Sequence, residues 1–159
     1  NHRYFQEQLL DEVYRFERYH RPLSVIIIDI DNFSDYNLNH GYPAGDSVLA
    51  QISRIIRANT RQTDLVARFG GEEFAVILAE TRMKDAVAVA EKIRQKIAGA
   101  IFTENSERAS SLGMMRLTVS IGAAEHRVGL AKEELVRHTL SALREAKDSG
   151  RNRICIYRP

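Results

Sequence analysis

The run LSVIIIDID, residues 23–31, constrains this chain more than any other stretch. It is short, rich in β-branched residues and apolar at almost every position, the pattern of a strand covered on both faces. Such a strand needs helices on each side, and the rest of the chain supplies them. Residues 3–19 carry Phe5, Leu9, Val13 and Phe16 at helical spacing, and Pro22 closes the segment. After Gly41 and Pro43, the residues Val48, Leu49, Ile52, Ile55 and Ile56 predict a second helix, with Asp46 near its start. Strands are expected at about 64–69 and 73–78, joined as a hairpin through Gly70 and Gly71. Ala86, Val89, Ala90, Ile93 and Ile97 mark a third helix. Residues 103–113 read as a polar loop, 116–124 as a strand, 131–148 as a helix and 153–157 as a last strand. Helices alternating with strands predict an α/β or α+β domain around one sheet.

At 159 residues the chain suits one domain with its own core, and no internal repeat or linker divides it. A net charge of +2, with the basic residues scattered, argues against nucleic acid as the main partner. No apolar run approaches the roughly 20 residues that cross a bilayer, so no direct membrane contact is expected of this segment. Cys155 is the only cysteine, which excludes an internal disulfide and fits a reducing, cytoplasmic setting. Within ICIY it reads as a small buried hydrophobe. The chain opens inside an expected helix. It is therefore read as one domain, 1–159, of a longer protein whose N-terminal sensory or dimerising region precedes it.

Two acidic clusters stand out. Asp29 and Asp31 end the buried strand, and a spacing of two points both side chains to one face. Buried carboxylates are costly unless they are exposed at a strand end, paired with a base or bound to a cation. Glu72 and Glu73 follow the Gly-Gly pair, and alternation sends them opposite ways, so one can face Asp29 if the two strands are neighbours. Oxygen-only sites of this kind suit Mg2+ or Mn2+, which bridge nucleotide phosphates. Each motif alone also fits a solvated hairpin tip or an acidic strand end. Lys147 and Arg151 flank Gly150 and suit phosphate oxygens, although a helix C-terminus attracts cations on its own account.

Together these segments resemble the GGDEF family of bacterial diguanylate cyclases. The resemblance rests on DIDNF (29–33), Asn37, Gly45-Asp46, RQTD (61–64), RFGGEEF (68–74), LTVSIG (117–122) and AKDSGRNR (146–153), in that order. It implies a central mixed sheet surrounded by helices, related to class III nucleotide cyclases and the polymerase palm. It also implies condensation of two GTP to cyclic di-GMP with release of two pyrophosphates, by two copies of the domain face to face. By position, Asp29, the Ile30 carbonyl and Glu72 would hold two Mg2+ or Mn2+ ions per site, and Glu72 would assist deprotonation of the attacking hydroxyl. Backbone N–H groups around Asn32, Phe33 and Ser34 would cradle phosphates, with Lys147 and Arg151 on the terminal one. Asn37 and Asp46 would read guanine, and Asp46 could at the same time cap a helix beginning near Ser47. Arg61 and Asp64 match the family's inhibitory product site, which a residue of the following helix, here Lys92, would complete.

The chain departs from the family pattern at five further places. Ser34 stands where lysine is usual, Leu38 where aspartate is frequent and Tyr42 where histidine is frequent. Leu140 and Arg144 replace an aspartate and a tyrosine of the last helix. These departures leave the metal ligands and base readers intact. They also keep open a second expectation, a non-catalytic GTP or cyclic di-GMP sensor.

Overall fold

The computed structural model describes residues 1–102 and 116–159, so the polar loop expected at 103–113 lies outside the described residues. The elements follow the chain as α1 (His2–Tyr19), β1 (Leu23–Ile30), α2 (Phe33–His40), α3 (Tyr42–Ala58), β2 (Leu65–Arg68) and β3 (Glu73–Ala79). Then come α4 (Met83–Ala98), β4 (Val119–Glu125), α5 (Lys132–Asp148) and β5 (Ile154–Ile156). The five strands form one sheet in the order β2-β3-β1-β4-β5. Neighbours run antiparallel except β4 and β5, so the sheet is mixed as expected. No helix among the described residues is long and apolar enough to cross a membrane.

The central strand β1 is buried at all eight positions, and its alternation divides the core in two. Ile26, Ile28 and Ile30 pack with Val48, Ile52 and Ile56 of α3 and Ile93 and Ile97 of α4. Val25 and Ile27 pack on the other side with Phe5 and Leu9 of α1 and Leu135 and Leu143 of α5. Each such side chain removed from water contributes about 1.5–3 kcal/mol, and this explains the unbroken apolar run. It also brings Asp29, near the end of β1, and Asp31, just beyond it, to the edge of a rigid layer.

Three local expectations need correction. The sequence reading has no helix at 33–40, yet α2 forms there, burying only Phe33 and Tyr36. The next helix starts at Tyr42 with Gly41 as N-cap and a proline in its first turn, so Asp46 lies inside α3 and does not cap it. The hairpin joined through Gly70 and Gly71 forms as expected. Cys155 is half-buried rather than buried, and burial pushes its thiol above the usual range.

Candidate active site

The site is built where β1 ends. Register places Glu73 directly opposite Asp29, and the Glu72 carbonyl accepts from the Ile30 N–H at 3.3 Å, one step beyond the β1–β3 ladder. The hairpin tip is closed by the Glu73 carbonyl, which accepts from the N–H groups of Phe69 at 2.9 Å and Gly70 at 3.3 Å. Arg68 donates to the Gly71 carbonyl and stacks over the Phe74 ring. These contacts fix the acidic tip against the strand end.

Asp29, Ile30, Asn32, Phe33, Ser34, Glu72, Lys147 and Arg151, all expected at the site, line one cavity of about 240 Å³ together with Asp31 and Asp35. The cavity opens over the N-terminus of α2, where the first N–H groups of a helix have no intrahelical partner and favour anions. Asn32 precedes that helix with φ 55°, in the left-handed region that asparagine tolerates better than most residues. Asp35 belongs to the first turn of α2 and escapes the sequence reading because that helix does.

The electrostatics are strained. Asp29 is only 4% exposed, and burial pushes its carboxyl above the usual range, with Lys147 pulling in the opposite direction. The Lys147 ammonium makes an ion pair with this carboxylate, so a cation already sits on the expected metal ligand. Glu72 and Glu73 are both raised, first by burial and then by the charge of Asp29. Three carboxylates that resist ionisation in one corner call for positive charge. No cluster of three or more His, Cys, Asp or Glu with metal-holding geometry occurs among the described residues. Two carboxylates and a carbonyl nevertheless match the few hard oxygen ligands Mg2+ takes from a protein when water and phosphate complete its shell.

Asn37 and Asp46 lie outside this cavity, on α2 and α3. A Cβ on Gly45 would fall 1.8 Å from the Asn37 Oδ1, so glycine lets α3 close directly onto that amide. Among the described residues this buried Oδ1 has no hydrogen-bond partner, and Asp46, which follows Gly45 in sequence, is exposed. A buried unsatisfied amide oxygen is a vacancy for a donor.

Arg61 and Asp64 are elsewhere, beyond the opposite end of the β2–β3 hairpin. Asp64 is buried, and its Oδ2 accepts from the Arg61 N–H at 2.7 Å. The Arg61 guanidinium donates to the Ala79 carbonyl at 2.8 Å and the Thr81 hydroxyl at 2.6 Å, while Arg57 donates to the Asp64 carbonyl at 2.8 Å. Arg61 borders a second cavity of about 530 Å³ with Arg15, Tyr19, Arg21 and Glu80. Lys92 is exposed on α4 and, among the described residues, no hydrogen bond or ion pair joins it to Arg61 or Asp64.

A family model described as the GGDEF domain of diguanylate cyclases matches residues 1–153. The chain belongs to this family. It is 34% identical over 157 residues to diguanylate cyclase A of Treponema denticola, and 37% identical over 155 residues to the response regulator PleD of Caulobacter vibrioides. Those alignments cover 96% and 97% of this chain but only 41% and 33% of the relatives' own lengths. Among solved structures, an active GGEEF domain of a diguanylate cyclase from Vibrio cholerae superposes with a TM-score of 0.90 at 32% identity, covering 100% of this chain and 97% of that one. The GGDEF domain of DgcB from Caulobacter crescentus, in complex with c-di-GMP, gives 0.92 at 26% identity, covering 99% and 90%. The α+β fold expected from the sequence is thus the fold of GGDEF domains.

Proposed function

We propose that this GGDEF domain condenses two GTP molecules into cyclic di-GMP and two pyrophosphates, each of two copies holding one nucleotide. The observation that carries this reading is the convergence of Asp29, Ile30, Glu72, Lys147 and Arg151 on one cavity at the N-terminus of α2. Asp29, the Ile30 carbonyl and Glu72 would hold Mg2+ or Mn2+, which supplies charge neutralisation at the phosphates and acidifies the attacking hydroxyl. The backbone of Asn32, Phe33 and Ser34 receives phosphate oxygens. Lys147, paired with Asp29, and Arg151 would both reach the terminal phosphate from this corner of the cavity. Glu72, raised by burial and by Asp29, is suited to take up a proton from the attacking 3′-hydroxyl. The described residues offer one such set of phosphate-binding groups, so the second triphosphate comes from a second copy. The Lys147–Asp29 pair is also what a non-catalytic nucleotide sensor would retain, and this is the competing reading.

The substrate is tested at the base. Asp46 is to accept from the guanine N1–H and amino group, and the buried Asn37 amide is to complete the reading. Adenine offers the wrong donors at that edge. Losing a charged bidentate contact is worth about 1.5–3 kcal/mol, or about 10- to 150-fold. Asp46→Ala is expected to lose GTP preference over ATP by that factor in competition binding. An unchanged preference would remove Asp46 from base recognition.

Product inhibition is the regulatory part of the proposal. Arg61 is expected to fork onto a phosphate or guanine edge, and Lys92 of the following helix would supply charge without the planar fork, so product binds more weakly than with arginine there. Because Arg61 also ties the Asp64 turn to Ala79 and Thr81, Arg61→Ala should lower both cyclic di-GMP binding and thermal stability. Isothermal titration of the folded variant checks the first effect. Equal binding by parent and variant would leave Arg61 with a structural role alone.

A further inference from the structure

We infer that Asp31, which no step above employs, is the positioning residue that aims Arg151 at the terminal phosphate; the inference rests on the triphosphate-binding reading of the cavity. Asp31 is 5% exposed, yet among the described residues none of its hydrogen-bond partners is a cation. Its Oδ1 accepts from the Ser120 hydroxyl at 2.6 Å, and its Oδ2 from the Thr118 hydroxyl at 2.7 Å and the Asn152 N–H at 3.0 Å. Its own N–H donates to the Thr118 carbonyl at 2.9 Å. A buried carboxylate costs free energy unless its lone pairs are occupied, and here three neutral donors occupy them, two from β4 and its approach and one from the turn before β5.

What Asp31 holds is the turn between α5 and β5. Gly150, Arg151 and Asn152 have φ of 119°, 62° and 47°, three consecutive left-handed residues of which two carry side chains. That conformation is unfavourable for residues with a Cβ and persists only where its surroundings impose it. The impositions converge on Asn152. Asp31 takes its N–H, and Arg94 of α4 donates to its Oδ1 at 2.8 Å. Arg94 is itself held by Glu91, whose carboxyl that contact keeps below the usual range. Arg153 closes the turn by donating to the Arg151 carbonyl at 3.0 Å. The Arg151 backbone is thus bracketed on both sides, and its side chain borders the cavity. A long arginine gripping a phosphate gains most when its base cannot drift, because less freedom is lost on binding.

The test measures discrimination between a triphosphate and a monophosphate. 3′-Deoxy-GTP, which lacks the attacking hydroxyl, and GMP are each titrated with Mg2+ into the parent, Arg151→Ala, Asp31→Asn and the double variant. Arg151→Ala should lower the triphosphate-to-monophosphate affinity ratio by about tenfold or more. Asp31→Asn should reproduce most of that fall with GMP affinity unchanged, and the double variant should fall no further than Arg151→Ala. Ser120→Ala removes one donor from the same carboxylate and should give a smaller loss in the same ratio, which serves if Asp31→Asn does not fold. A full ratio in Asp31→Asn or Ser120→Ala, beside a lowered one in Arg151→Ala, overturns the positioning role and leaves the phosphate role standing. An unchanged ratio in Arg151→Ala overturns both.

Discussion

Glu72→Gln is expected to reduce cyclic di-GMP formation by orders of magnitude while the domain remains folded. The amide keeps the shape of the side chain but gives up the anionic ligand and the proton acceptor. Stability should move the other way. Glu72 and Asp29 both have carboxyls raised above their ordinary range, so the folded chain binds protons more readily than the unfolded chain. Their contribution is therefore most favourable below the ordinary carboxylate range and declines as pH rises through the raised values. At neutral pH without metal, Glu72→Gln should melt at the parent temperature or above it, and the gain should vanish in acid. Product formation at the parent rate would remove Glu72 from the chemistry. A large loss of melting temperature would mean that its role is architectural.

Gly122→Ala is expected to be the most damaging small substitution for the fold. Gly122 faces α5 from the middle of β4, and a Cβ there would lie 2.3 Å from the Leu143 nitrogen and 2.3 Å from the Thr139 carbonyl oxygen. Both are helix backbone, so no rotamer change relieves the clash and α5 must move off the sheet. Overpacking of this severity costs about 3 kcal/mol or more, a fall of roughly 6–12 °C for a domain of this size. Displacing α5 also carries Lys147 and Arg151 away from the cavity, so activity should fall with stability. Gly71→Ala is the control, because among the described residues no atom beyond its chain neighbours lies within 4 Å of its added Cβ. A differential scan in which both variants melt together would contradict this account of the helix–sheet contact.

The sequence reveals the elements whose burial follows a simple period. The LSVIIIDID run is legible because both faces of β1 are covered, and the stripes of α3, α4 and α5 because each buries one face. α2 is not, since FSDYNLNH buries only two residues and shows no stripe. The start of α3 is hidden by Gly41 and Pro43, which read as a break but form its cap and first turn. In the site, the grouping of Asp29 with Glu72 and Lys147 follows from strand adjacency and motif order. The bonds from Asp31 to Thr118, Ser120 and Asn152 span 87 to 121 positions, and no local pattern marks them. Two of the departures, Leu38 at 82% and Tyr42 at 75% exposure, lie on the surface and leave the core unchanged. Leu140 and Arg144 border a groove beside Glu73 on the outer side of α5.

The central claim is that two copies of this domain join two GTP molecules. It is tested most directly by incubating the purified domain with GTP and Mg2+ over a wide range of protein concentrations and resolving the products by chromatography. The account predicts cyclic di-GMP and pyrophosphate in a ratio of one to two, with activity per molecule rising as the domain associates. GTP recovered intact at concentrations where sedimentation shows a dimer, with binding still present, would contradict it and leave a nucleotide sensor.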